Sequence, residues 1–533
     1  MKHSFLFLTA LTTALLASNE ANAQKLTPIE QADLAYFSEQ CKIIGSDAFG
    51  GRMPLTQYED TTINYLAAEM KRLGLEPAFG DSYFQDVKEI STISRPKKNR
   101  VQVKGAKSTL NLKFPDDLCI WTHQGTNKID TGDVEYVFCG FGIDAPEYDW
   151  HDFDGVDVKG KIVIAMVNDP GFYDANLFRG GNMTYYGRWT YKLEQAAKLG
   201  AAGCLVLHNT AAASYAWNVC ARHQSENLGV CHEDMNMSSM PVEGWIQEEA
   251  TRKIFEAAGA DFDKALADAK RPGFKPFVLK AKSRIQMDVT YTVGLTHNVA
   301  GLMRGTDLKD ELLVFNAHWD HFGYGEPDEK GDSIYNGAAD NASGVATVLA
   351  LAKKFKTLPI KPRRSLLFMS VTSEESGLFG SEVYCDSPAP GFPMEKTVAC
   401  INFDCVAPLD LTNDVPILGG GECDIDNRVM AAAAAQGRYV YVDTNNQDGW
   451  FFRSDHFNFI KKGVPAVVIR NGKDYTDPVA AEATPKWGDW YHKPCDEWSD
   501  DWHLDGTMAN LRMMFSVGIA IANDDARPRW LKK

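Results

Sequence analysis

The sequence predicts an α/β fold: a mixed, mostly parallel sheet flanked by helices, with a β-rich domain inserted into it. Three observations carry this. The apolar runs ELLVFNAH, SLLFMSV, VACINFD and GVPAVVI in the last half have strand length, and continuous apolar runs suit strands buried on both faces. SGVATVLALAKKF, between the first two, puts Val345, Leu349 and Ala352 on one helical face. The middle of the chain instead reads as short strands and turns, among them VEYVFCGFGI, KGKIVIAMV and AAGCLVLHN.

Taken in order, the chain opens with Lys2 and His3, then a 13-residue apolar run, Phe5 to Ala17, then Ala21-Asn22-Ala23. That pattern predicts a signal peptide over 1–23, cut after Ala23, and hence a periplasmic or secreted protein. The run is shorter than the roughly 20 apolar residues of a membrane span. Residues 24–115 are expected to form the first part of the main domain. In TINYLAAEMKRLGL, Ile63, Leu66, Ala67 and Met70 fall at helical spacing, and Gly74 ends the element. Residues 116–282 are expected to be the inserted β-rich domain, with TYKLEQAAKLG as a helix inside it. Residues 283–533 are expected to complete the main domain.

Composition excludes some classes of function. The 533 residues hold 55 Lys+Arg against 71 Asp+Glu, a net charge of -16. Nucleic acids and anionic membranes both call for clustered positive charge, so neither is an expected partner. Eleven cysteines are too dilute for a disulfide scaffold, and no C-x-x-C pair is present. Cys220 and Cys231, flanking a polar loop, are the expected bridge. His232-Glu233 is followed at the position of a second helical ligand by Asn236, and G-x-S-x-G is absent, which excludes thermolysin-like and serine-hydrolase elbows.

Acidic residues and histidines collect where the predicted strands end. His318 and Asp320 follow ELLVFNA, Asp340 precedes the helix, Glu374 and Glu375 follow SLLFMSVTS, Asp404 ends VACINFD, and His492 lies in DWYHKP. Ligands of open α/β sheets bind at the carboxyl ends of strands. Asp404 closes an apolar strand, where an uncompensated carboxylate is costly. Imidazole and carboxylate donors together suit zinc better than calcium, which prefers an all-oxygen shell. Five ligands can serve two metals sharing one carboxylate, with one Glu left over for proton transfer.

HWDH, NGAADNASG, SEESGLFGSE, INFD, RSDHFNF and WYHKP resemble, in that order, the signature segments of the di-zinc aminopeptidase family, whose relatives include glutamate carboxypeptidases. GGRMPLTQYEDTTINYLAAEMKRLGLEP looks like the family's N-terminal segment. FCGFGIDAPEYDW, GVDVKGKIV and KLGAAGCLVLHN are similar to its protease-associated insert. The resemblance implies a phosphorylase/hydrolase-like zinc exopeptidase fold, two Zn²⁺ per chain and a peptide substrate. It assigns His318, Glu375 and bridging Asp340 to one zinc, and Asp404, His492 and the same Asp340 to the other. Glu374 is implied as general base, and Asp320 as the carboxylate orienting His318. Structural roles are expected for His321 and His456, and pocket-shaping ones for Ser454 and Asp455.

An aminopeptidase is the expected activity. A carboxypeptidase, a glutaminyl cyclase-like acyltransferase and a non-catalytic binding protein are the alternatives. Arg453, Arg470, Asp474, Asp477 and Glu482 are candidates for holding a peptide terminus. Tyr185, Tyr186 and Trp189 belong to a lid or, as aromatics in such runs more often do, to a core.

Overall fold

The computed structural model describes residues 26–221, 226–418, 423–443, 447–483 and 486–531, so the expected signal peptide lies outside the described residues. Six strands frame the molecule: β1 (Phe84–Gly105), β2 (Phe277–Met303), β3 (Leu308–His318), β4 (Arg364–Val371), β5 (Thr397–Asn402) and β6 (Ala466–Val468). The main sheet runs β6-β5-β3-β4-β2. β3 is parallel to β4 and to β5, and β5 to β6, whereas β2 is antiparallel to β4 and to β1. This is the mixed, mostly parallel sheet expected.

All residues of β4 and β5 are buried, which explains their unbroken apolar runs. Along β3 the side chains alternate between two cores. Leu313, Phe315 and Ala317 join Leu349 of α3 (Ser343–Lys356) on one face, together with Phe37 and Leu66 of α1 (Pro28–Ile44) and α2 (Gln57–Arg72). Leu312 and Val314 meet Tyr384 and Phe459 on the other. Met514 and Val517 of α4 (Asp505–Asn523) complete the first face. Each fully buried side chain of this size contributes about 1.5–3 kcal/mol.

The insert has its own layers. Val134–Phe138, Ile162–Met166, Gly203–His208 and Val242–Gln247 run parallel, and Leu118–Trp121 closes the far edge antiparallel. Phe138, Ile164 and Leu205 pack on one face, Val137, Val163 and Val206 on the other. The expected helix is present at Trp189–Lys198.

The two regions share strands. β2 is 27 residues long; its first half pairs with Val134–Phe138 and its last residues with β4. The expected division at 282/283 therefore falls inside one strand. Val101 and Val103 of β1, and Leu279 to Val289 of β2, pack in the insert's core. Because β2 opposes the parallel strands, the residues before Val299 run past the carboxyl end of β4, where Ser370 is its register partner. The insert is thereby carried to the side of the sheet on which β3, β4 and β5 end.

All eleven cysteines are free, so the expected Cys220–Cys231 bridge does not form. Cys220 is buried in the insert, where its carbonyl accepts from Cys119 Sγ at 3.1 Å, while Cys231 Sγ lies 3.7 Å from the His232 carbonyl. Among the described residues, no helix is long and apolar enough to cross a membrane.

Candidate metal centre and active site

The site is built from strand ends and the turns after them. His318 is the last residue of β3, and Asp404 lies two residues beyond β5. Glu374 and Glu375 open a short helix, Glu374–Gly377, just after β4. The chain reverses there through Ser373, at φ 54°, a left-handed conformation costing a non-glycine residue about 1–2 kcal/mol. Asp340 sits in the turn Ala338–Ala342 that leads into α3, and His492 in the late loop. The five segments predicted to converge do so.

Asp340 is central. Its Oδ1 is 3.3 Å from His318 Nε2, and its Oδ2 is 3.3 Å from His492 Nε2. His318 Nε2 also faces Asp404 Oδ1 at 3.7 Å, and His492 Nε2 faces Glu375 Oε2 at 3.2 Å. The geometry thus groups His318 with Asp404 and His492 with Glu375, about a shared Asp340. The resemblance implied the crossed grouping, His318 with Glu375 and Asp404 with His492. Motif order along the chain carries no information about which strand ends lie side by side; the sheet order does.

These donors fit a metal. His492 Nε2 is buried without a hydrogen-bond partner although two carboxylate oxygens stand near it. Donor atoms of His318, Asp340 and Glu375, and those of His318, Glu374 and Asp404, lie within 4.8 Å of one another. Four crowded carboxylates shielded from water repel one another unless cations compensate them. Mixed nitrogen and oxygen donors are the set zinc accepts.

Glu374 differs electrostatically from its neighbours. Burial holds its carboxyl well above the ordinary range, against the pull of His318 and with the help of Asp404 and Glu375. Burial alone would raise Asp340 too, but the imidazoles of His318 and His492 beside it outweigh it and hold that carboxyl well below the usual range. One acid is disposed to carry a proton and the other to stay ionised, which is the division of labour that proton transfer beside a metal calls for.

Asp320 acts differently from the expectation. Its carboxylate is 3.6 Å from His318 Nδ1, beyond hydrogen-bond range, while its main-chain carbonyl is 3.2 Å away. The carboxylate instead accepts from the backbone N–H of Glu374 at 3.1 Å and of Glu375 at 3.2 Å. It pins the turn that carries both glutamates. Asp320→Asn, which keeps one of these acceptors, is expected to cost about 10–100-fold in zinc affinity or turnover. Zinc titration together with a rate assay checks this, and wild-type values in both would remove Asp320 from the support of the site.

Three residues support the site; His321 was expected in a structural role, whereas Asp496 and Arg52 escaped the sequence reading. His321 is buried, and its Nδ1 lies 2.7 Å from Glu375 Oε1, so it steadies a metal-facing carboxylate instead of merely filling space. Asp496 accepts from the Ala339 and Asp340 N–H groups at 2.8 and 3.0 Å, fixing the turn around Asp340. Arg52, fully buried, donates to the carbonyls of Trp319, Ile44, Asn336 and Gly337 at 2.5–3.0 Å. Between them Arg52 and Asp496 clamp residues 336–340 from two sides. Gly337, at φ 56°, has no room for a side chain, since a Cβ would meet the Asp340 carbonyl oxygen at 2.1 Å. The signals were present, in GGRMP, HWDH and PCDEW, but nothing in the letters names their partners.

The remaining candidates divide. Arg453 and Arg470 line the recess beside the donors, with Trp450 and Tyr491. Asp474, Asp477 and Glu482 do not line it; Asp474 accepts from the Tyr439 hydroxyl at 3.0 Å. Ser454 accepts from Asn402 at 2.8 Å behind the site, and Asp455 is buried next to it. His456 is buried, and burial followed by the nearby Arg470 pushes its imidazole down to about 3, in keeping with a structural role. Trp189 packs against Trp121 and Trp245 in the insert. Tyr185 reaches the main domain, its ring 4.7 Å from Phe457 and 5.8 Å from Phe452, and Lys461 pairs with Glu194 at 3.2 Å nearby.

Residues 298–516 match the family described as Peptidase family M28. The matched span includes the positions of all seven predicted site residues, from His318 to His492. The chain is 30% identical over 140 residues to mouse "Aminopeptidase NAALADL1", covering 25% of this chain and 17% of that protein. It is 31% identical over 175 residues to "Leupeptin-inactivating enzyme 1" of Streptomyces exfoliatus, covering 31% and 38%. The matches thus span less than two fifths of either relative. Among solved structures, the aminopeptidase from Aneurinibacillus sp. strain AM-1 aligns over 92% of this chain and 94% of its own, at 19% identity and a TM-score of 0.46.

Proposed function

We propose that the protein is a zinc metallo-exopeptidase, an aminopeptidase that releases N-terminal residues from short peptides with two zinc ions per chain. The observation that carries this is Asp340, whose two oxygens each face a different imidazole, each imidazole being joined by a further carboxylate. His318 and Asp404 would hold one ion, His492 and Glu375 the other, and Asp340 both. Zinc bound there supplies Lewis acidity toward the scissile carbonyl and toward the attacking water. Glu374 takes the proton from that water and delivers it to the departing amine. Asp320 and His321 keep the two glutamates in place, and burial keeps bulk water from competing.

One peptide, offered with a free and with an acetylated N-terminus, tests the reading. Zinc-loaded protein is expected to shorten only the free form, stepwise from its N-terminus, as read by mass spectrometry. Chelation is expected to abolish this, and two equivalents of zinc to restore it. Shortening of both forms from the C-terminus would make the protein a carboxypeptidase; no shortening of either would remove the hydrolase reading.

A further inference from the structure

The recess beside the donors has two walls of opposite charge. One is the carboxylate cluster, which bound cations would neutralise. The other is cationic. The guanidinium of Arg453 lies 4.9 Å from the centre of the Trp450 ring and that of Arg470 5.9 Å from it, so both are braced on one indole. Arg453 donates to the Asp448 carbonyl at 2.6 Å, which holds its head group still. Its Nε is buried without a hydrogen-bond partner. A third arginine, Arg188, comes from the insert. Its Cδ lies so near Gly449 that a Cβ there would meet it at 3.2 Å. Burial, then the facing Arg453, lowers Arg188 to about 10, still cationic at neutral pH. Among the described residues neither Arg188 nor Arg453 forms an ion pair. Like charges gathered in a partly buried pocket are costly unless an anion joins them.

We propose that Arg453 and Arg470, braced on Trp450, form a carboxylate-accepting subsite next to the scissile bond, so that the preferred substrates carry an anionic group there. Guanidinium groups suit this because their planar donors match a carboxylate in two-point contact. The carboxylate has two possible sources, the C-terminus of a dipeptide or an acidic side chain following the cleaved bond. The proposal rests on the peptidase reading above.

Four substrates separate the cases: Leu-Leu, Leu-Leu-amide, Leu-Glu-amide and Leu-Gln-amide, with zinc-loaded full-length protein. Charge-assisted hydrogen bonds of this kind predict a kcat/KM ratio of about 10–100 for the carboxylate over its neutral partner. A preference for Leu-Leu over its amide identifies the C-terminal carboxylate; a preference for Leu-Glu-amide over Leu-Gln-amide identifies the side chain. In Arg453→Gln the ratio is expected to fall toward one, and Arg453→Lys to restore part of it, with zinc content measured alongside. Equal cleavage of all four overturns the subsite and leaves the peptidase standing. Cleavage of none, with two zinc ions bound, overturns the peptidase reading and the subsite together. A ratio unchanged in Arg453→Gln would also overturn the assignment to that residue.

Discussion

Replacing Glu374 by Gln is expected to lower kcat about 10²–10⁴-fold while leaving zinc content at the wild-type level. The substitution keeps the size and the hydrogen-bonding outline of the side chain and removes only its capacity to accept a proton. Burial, with the adjoining acids, holds the Glu374 carboxyl above the ordinary range, so it takes up a proton more readily than an exposed glutamate. The metal-facing contacts of His318, Asp340, Glu375, Asp404 and His492 do not pass through it. Steady-state rates on a short peptide, paired with zinc analysis of the same sample, separate the two effects. Loss of zinc along with activity would show that Glu374 is a ligand, and wild-type turnover would show that another group carries the proton.

Arg52→Met is expected to destabilise the main domain by about 3–5 kcal/mol. Four buried carbonyls lose their donor, each at about 1–3 kcal/mol, and relaxation together with relief from burying a guanidinium returns part of the sum. The carbonyls belong to segments far apart in the chain, Ile44, Trp319 and the 336–337 turn. Their joint loss should therefore also loosen the Asp340 loop and lower zinc affinity. Arg52→Lys is expected to recover only a fraction, because an ammonium cannot reach four acceptors with the spread of a guanidinium fork. Urea unfolding of the zinc-free and zinc-loaded forms measures both parts. A change under about 1 kcal/mol would mean that water replaces the guanidinium, and that Arg52 is not the clamp its contacts describe.

Much of the main domain was legible in the letters. β3, β4 and β5 are buried on both faces, so each prints as an unbroken apolar run, and the donors stand at the carboxyl ends of those runs. β1 and β2 were not legible. The first half of β2 alternates with period two, residues 290–295 are mostly exposed, and its end is wholly buried, so no single pattern marks it as one strand. The pairing of ligands was hidden for a related reason. β3 lies between β5 and β4, so His318 has acids on both sides, and only the side-chain placement sets Asp404 beside His318 and Glu375 beside His492. Arg52 and Asp496 act on main-chain groups, and a main-chain partner leaves no mark in a sequence.

The shared strands also decide how the insert can move. β1 and β2 pair from Phe84 opposite Val299 to Gly105 opposite Ala281, and the register shifts once, between Ile285 opposite Val101 and Met287 opposite Pro96. A flexible lid needs a few chain positions free to change their backbone angles, whereas a continuous ladder of inter-strand hydrogen bonds offers none without breaking several at once. The two regions therefore share one girder, not a hinge. Any opening between the two regions therefore has to break ladder hydrogen bonds, which is a cost that a hinge in a loop would not carry.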